Sequence, residues 1–344
     1  MTSKEFPAIG IGRFAKDGSA PFAALVVDGA AYPIESGNRA DTVPLFERWD
    51  EAWSDLEQRI AAIRSGNGGQ GIALAGLRVL PPIEPRQILC AGANYRRHVI
   101  DIMTDHEAGS EPGLDAAERR KRATLLMDHR AQAGSPFAFV KPVSALAGAF
   151  DPLTIPADSL QTDWELELAV VIGRPARRVS RDRAMEHVAG YTIGNDISAR
   201  DHIMRPDIPG MGLDFITGKS CPGFLPLGPL IVPAALIPDP HDLQITLRLG
   251  EQVMQDESSA DMIFRIPRLI EFLSTHIQLL SGDVICTGSP AGNGTHYNRF
   301  LRDGDVMTAS IAGLGEQVVP CHAEKLAQDA VLHRPFAPLG KPGA

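Results

Sequence analysis

Asp163-Trp164-Glu165-Leu166-Glu167-Leu168-Ala169-Val170-Val171-Ile172-Gly173 is the most informative stretch of the chain. Read as a strand, its side chains alternate between two faces. Trp164, Leu166, Leu168 and Val170 point one way; Glu165 and Glu167 share the other face, followed by Ala169 and Val171. Two carboxylates two residues apart, next to apolar residues, are expensive to bury unpaired. They repel each other, so one takes a proton unless a cation sits between them. Two readings stand on this segment alone: a divalent cation held by oxygen ligands, or an exposed strand face with two ordinary glutamates.

Downstream, Ala189 to Asp201 reads as a strand running into a polar turn, with Asp196 at the strand end, where a side chain reaches into a site. Gly218-Lys219-Ser220 follows. Ser281 to Gly292 then ends a strand in a Gly-rich turn whose backbone N–H groups suit an anion. The Gly-Lys-Ser triplet lacks the upstream glycine of a P-loop, and no G-x-G-x-x-G follows an early strand, so nucleotide binding has little support.

Further from the centre, the pattern divides the chain into a small N-terminal α+β domain (1–82), a β-rich main domain (83–325) and a C-terminal tail (326–344). The front domain shows a hairpin signal, Ala23–Val27 and Ala31–Ile34 across Asp28-Gly29, then a helix over 44–64. Pro81 to Pro85 reads as a stiff linker. Segment 99–135 carries a dense charge run in an amphipathic helix, either a solvated surface helix or a functional lid. Beyond it strands are expected at 137–140, 164–172, 188–194, 229–232, 243–249, 283–286 and 305–311, and helices at 181–187 and 261–275. From Pro320 the chain reads as a loose tail.

The 344 residues include 33 Lys+Arg against 42 Asp+Glu, a net charge of −9, which disfavours binding nucleic acid through its phosphates. The uncharged run Ser220–Pro238 contains five prolines and cannot continue as one membrane-spanning helix. With no apolar leader after Met1, and Cys90, Cys221, Cys286 and Cys321 read as free thiols, a cytoplasmic location is expected.

Taken together these segments resemble the fumarylacetoacetate hydrolase superfamily over roughly residues 86–315. The resemblance rests on Ile88 to His98, Phe139-Val140-Lys141-Pro142, the E-x-E strand, Gly190 to Asp201, Gly218-Lys219-Ser220 and Gly282 to Gly292. It implies a mixed α+β, β-rich β-roll, commonly dimeric, with Glu165, Glu167 and Asp196 binding Mg²⁺ or Mn²⁺. Lys219 then contacts substrate oxygen, and Thr287, Gly288 and Arg96 contribute to substrate binding. His98 starts the lid and works with the residue three positions on, here Asp101 in place of the family's glutamate. Arg200 and Asp201 read as an internal ion pair, and Lys141 as structural. His106, His129, His202 and His296 read as surface or local hydrogen-bonding residues.

What the resemblance implies chemically is metal-dependent hydrolysis of a C–C bond in a β-diketo acid of the acylpyruvate type, with His98 and Asp101 activating water. On the same metal site, oxaloacetate-type decarboxylation or keto–enol isomerisation needs no attacking water. The replacement of Glu by Asp at 101 also motivates a keto-acid-binding protein without turnover. A small keto acid and a homodimer partner are expected, with no nucleic acid or membrane.

Overall fold

The computed structural model describes residues 5–34, 40–105, 113–208, 212–332 and 336. Three sheets dominate. The first has five strands in the order Ile72–Ala73, Ala30–Pro33, Phe22–Val27, Ile9–Ala15 and Arg78–Leu80. Its hairpin closes on Asp28 and Gly29, both at positive φ (48° and 84°), the geometry that a tight two-residue turn demands. The helix expected over 44–64 is split at Arg48 into Val43–Glu47 and Trp49–Arg64; Leu45, Leu56 and Ile60 are buried.

The central sheet runs Phe137–Lys141, Ile88–Gly92, Val284–Cys286, Leu166–Ile172, Val188–Asn195, Leu225–Leu227 and Leu146–Gly148, with Val232–Pro233 pairing the fifth of these. Leu166–Ile172 lies in the middle and is buried along its whole length. Leu166, Leu168, Val170 and Ile172 enter one core, shared with the helix Ile266–His276 and the third sheet. Ala169 and Val171 enter a second core, built with Ile11, Leu25, Phe46 and Leu56 of the N-terminal unit. That unit therefore covers the back of the central sheet and seals it from water. The third sheet runs Gln252–Ser258, Gln244–Leu249, Val306–Ile311, Gly315–Ala323 and Leu153–Ile155.

Four expectations need correction. The 181–187 segment holds only a 3₁₀ turn, Ala184–His187, too short to repay helix nucleation. The 261–275 helix starts later, at Ile266, because Pro267 occupies its first turn, where a missing N–H costs nothing. The expected strand over 229–232 reduces to the two residues Val232–Pro233. Pro320 does not begin the tail: it pairs with Val306 in a strand that continues to Ala323, and Cys321 is fully buried. Segment 99–135 forms two packed helices, Arg96–Asp105 and Ala116–Ala133, joined through Ile100, Ala123 and Met127. Asp115 caps the second by accepting from Glu118 N–H. His106 lies outside the described residues.

Candidate active site

The regular ladder of the central strand stops just before Leu166. Glu165 N–H donates to the Asn195 side chain (3.0 Å) and Leu166 N–H to that of Gln255 (3.1 Å), so side-chain acceptors replace a neighbouring strand. Glu165 leaves the ladder yet stays on the Glu167 side. Asp196, one residue beyond the paired strand, donates its N–H to the Glu165 carbonyl (2.8 Å). One carboxylate oxygen each from Glu165, Glu167 and Asp196 thus comes within 4.8 Å of the others, and all three residues are buried.

Three cations surround this cluster. Lys219 Nζ lies 2.7 Å from Glu165 Oε2 and 2.6 Å from Asp196 Oδ2. Lys141 Nζ lies 2.5 Å from Asp196 Oδ1 and donates also to the Ile197 carbonyl. Arg200 bridges Glu165 Oε1 (2.6 Å) and Asp163 Oδ2 (2.9 Å). Burial alone would raise Glu165, but the charges of Arg200 and Lys219 outweigh it and hold its carboxyl far below the usual range. Burial opposes the charge on Lys219, and Asp196 and Glu165 overcome it, so the ammonium is held charged. Glu167 differs. Burial, with Cys286, Asp196 and Glu165 adding to it, raises its carboxyl well above the usual range. It accepts from Gly288 N–H at 2.7 Å, and among the described residues no Lys or Arg forms an ion pair with it. A buried set of hard oxygen donors with one uncompensated carboxylate fits a divalent cation.

The cluster forms one wall of a cavity of about 820 Å³, which also reaches His98, Lys219 and Arg200. His98 stands on the Arg96–Asp105 helix, and burial lowers its pKa to about 4, so the ring is neutral. The remaining predicted residues are placed differently. Asp101 is engaged by Arg120 at 2.9 Å and approached by Arg97 at 3.7 Å, and no hydrogen bond joins it to His98. Arg96 pairs with Asp128 on the neighbouring helix and does not line the cavity. The Thr287 hydroxyl donates to the Leu168 carbonyl (2.9 Å), and the Gly288 N–H is spent on Glu167, so both support the cluster from behind.

Sequence reading missed three contributors. Arg200 does not pair with Asp201, whose carboxylate accepts from the Ser159 hydroxyl and Leu160 N–H; it belongs to Asp163 and Glu165. Lys141, taken as structural, touches Asp196. Asp163 is fully buried and accepts from Gly294 N–H, tying the site to the loop after Gly292. Arg200→Met leaves Asp163 charged and buried with no cation, which costs about 3–5 kcal/mol. Chemical denaturation should show that loss, with recovery in the Arg200→Met/Asp163→Asn pair; an unchanged midpoint in the single variant would refute the bridge.

Carboxylates, lysine and a neutral histidine around one sheltered cavity define an enzyme site, on a fold of curled β-sheets. The sequence model described as fumarylacetoacetate (FAA) hydrolase C-terminal matches residues 87–320, and the chain belongs to that family. Among curated relatives, oxaloacetate tautomerase fahd2, mitochondrial, of Xenopus laevis is 33% identical over 247 residues, covering 71% of this chain and 68% of that protein. Oxaloacetate tautomerase FAHD2A, mitochondrial, of Homo sapiens is 38% identical over 237 residues, 68% of this chain and 66% of its own. Among solved structures, the fumarylacetoacetate hydrolase of Exiguobacterium antarcticum is 29% identical with a TM-score of 0.71, covering 92% of this chain and 100% of that one. The maleylpyruvate hydrolase of Sphingobium sp. SYK-6, solved with manganese(II) ion and pyruvate, shares the fold at 24% identity and TM-score 0.68, with coverage of 92% and 100%. No helix among the described residues is long and apolar enough to cross a membrane.

Proposed function

We propose that this protein is a Mg²⁺- or Mn²⁺-dependent tautomerase that interconverts the keto and enol forms of a 2-oxo acid with a second carbonyl at C4. One observation carries the choice over hydrolysis: the Asp101 carboxylate is taken by Arg120 and approached by Arg97, and no hydrogen bond joins it to His98. Without an orienting carboxylate His98 lacks the dyad that water activation uses, whereas a C–H already acidified by two carbonyls needs only a base within reach. Two relatives named oxaloacetate tautomerases, at 33% and 38% identity, support the same reading.

Glu165, Glu167 and Asp196 would hold the cation, which supplies Lewis acidity at the 2-oxo group. His98 takes the C3 proton and returns it to a carbonyl oxygen, so no atom enters or leaves the substrate. Lys219 donates to the oxygen on which negative charge develops. The apolar walls keep bulk water from competing for the proton.

His98→Ala should lower the rate by about 10²–10⁴, followed through the ultraviolet absorbance of the enol with Mn²⁺ present. Asp101→Asn should change it less than about threefold, as expected for a group outside the proton path. A collapse in Asp101→Asn, with carboxylic acid released from an acylpyruvate, would instead establish the hydrolase. That second reading draws on the cavity, which is roomier than a four-carbon acid requires.

A further inference from the structure

Three phenylalanines, Phe137, Phe139 and Phe215, line the same cavity as the carboxylates. Phe139 and Phe215 stack with ring centroids 4.5 Å apart and planes within 11°. Phe137 joins them, 5.7 Å from Phe215. The register explains why they meet. Phe137 and Phe139 project from the same face of an edge strand, and Phe137 lies across from Gly92, where an added Cβ would come 2.5 Å from its ring. Gly92 therefore makes room for the wall. Val99, Ile102 and Leu213 extend the apolar surface around it. The wall starts beside the head-group machinery, with Lys219 Nζ 5.0 Å from the Phe139 centroid.

The charges complete the case. Lys219 and Arg200 are the only Lys or Arg among the described residues lining the cavity, and both are bonded to carboxylates of the cluster. Four formal carboxylates (Asp163, Glu165, Glu167 and Asp196) face three cations (Lys141, Lys219 and Arg200), leaving one negative charge. A divalent cation turns that into one positive charge, which a single substrate carboxylate cancels. A second carboxylate at the tail, placed against the phenylalanine rings, would meet no lysine or arginine among the described lining residues that is not already bonded to the cluster, and would carry a desolvation cost.

We propose that the substrate is a monoanionic 2,4-dioxo acid whose C4 substituent is a flat, uncharged, aromatic or conjugated group, held against Phe139 and Phe215. This rests on the tautomerase reading above and separates the chain from relatives named for oxaloacetate. The enol of such an acid is planar through its conjugated tail, so the ring pair receives it flat, in the offset stacking that aromatic groups favour.

The test uses the full chain loaded with Mn²⁺ and three acids: 4-phenyl-2,4-dioxobutanoate, 2,4-dioxopentanoate and oxaloacetate. Conversion is followed by enol absorbance, and binding of all three by calorimetry. The phenyl acid should exceed the methyl acid at least tenfold in kcat/KM and in affinity, and oxaloacetate should rank last. Phe215→Leu, which keeps an apolar side chain but removes the ring, should cut the phenyl-to-methyl ratio at least fivefold. Phe215→Arg should raise oxaloacetate relative to the phenyl acid. Preference for oxaloacetate, or a wild-type ratio near one, overturns the tail assignment and leaves tautomerisation standing. If none of the acids binds or reacts in the Mn²⁺-loaded protein, the tautomerase reading falls and this inference with it.

Discussion

Replacing Glu167 by Gln removes divalent-cation binding and lowers turnover by about two to three orders of magnitude, while the metal-free protein melts where the wild type does. The three carboxylates differ in how the metal-free protein holds them. Glu165 and Asp196 are ionised partners of Arg200, Lys141 and Lys219. Glu167 has a backbone N–H as its partner, and burial favours its protonated form. A neutral amide of the same shape fits a site where burial already works against the carboxylate charge. Its oxygen accepts from Gly288 N–H, and its NH₂ faces the oxygens of Glu165 and Asp196, within 4.8 Å. What the amide cannot do is ionise, and a hard divalent cation needs that third negative oxygen. Calorimetric titration with Mn²⁺, alongside melting in chelator, separates the two effects. A variant that still binds Mn²⁺ within threefold of wild type, or melts several degrees lower, contradicts this account.

The fold was legible where side-chain period and element coincide. Alternation along 164–172 put Leu166, Leu168 and Val170 on one face and Ala169 and Val171 on the other, and the structure buries the two faces in two different cores. The E-x-E spacing put two carboxylates on one face, and Asp196 at a strand end brought in the third. Pairings across space were not legible. Arg200 sits next to Asp201 in sequence, yet its guanidinium is claimed by Asp163 and Glu165, more than thirty residues away. Nothing in the local pattern distinguishes those partners. Asp101 reads as the orienter of His98 because the family resemblance puts a carboxylate three positions on, but Arg120 on the next helix offers it an opposite charge. Phe215 follows Asp214, which caps the short Phe215–Lys219 helix, and only the pairing of distant elements sets it against Phe139.

Asp196→Asn should behave in the opposite way to Glu167→Gln: it destabilises the metal-free protein by about 3–5 kcal/mol, because it strips a counter-charge from buried cations. The Lys141 side chain is fully buried and that of Lys219 nearly so, and both ammonium groups donate to Asp196, one to each oxygen. An asparagine presents one oxygen and one NH₂, so one lysine would meet a donor instead of an acceptor. Lys219 keeps Glu165 at 2.7 Å, whereas among the described residues Lys141 keeps the Ile197 carbonyl and the Phe224 ring, neither of them an anion. The cost therefore concentrates on Lys141, and Lys141→Met in the Asp196→Asn background should recover most of it, since that buried site then holds no unpaired charge. Chemical denaturation of the single and double variants in chelator measures the coupling directly. Equal stability of wild type and Asp196→Asn would mean that Lys141 does not depend on Asp196 for its charge. With the predicted outcome, the same cluster contains one carboxylate that keeps the protein folded and another that waits for the cation, and only the second can be exchanged for an amide without loss of the fold.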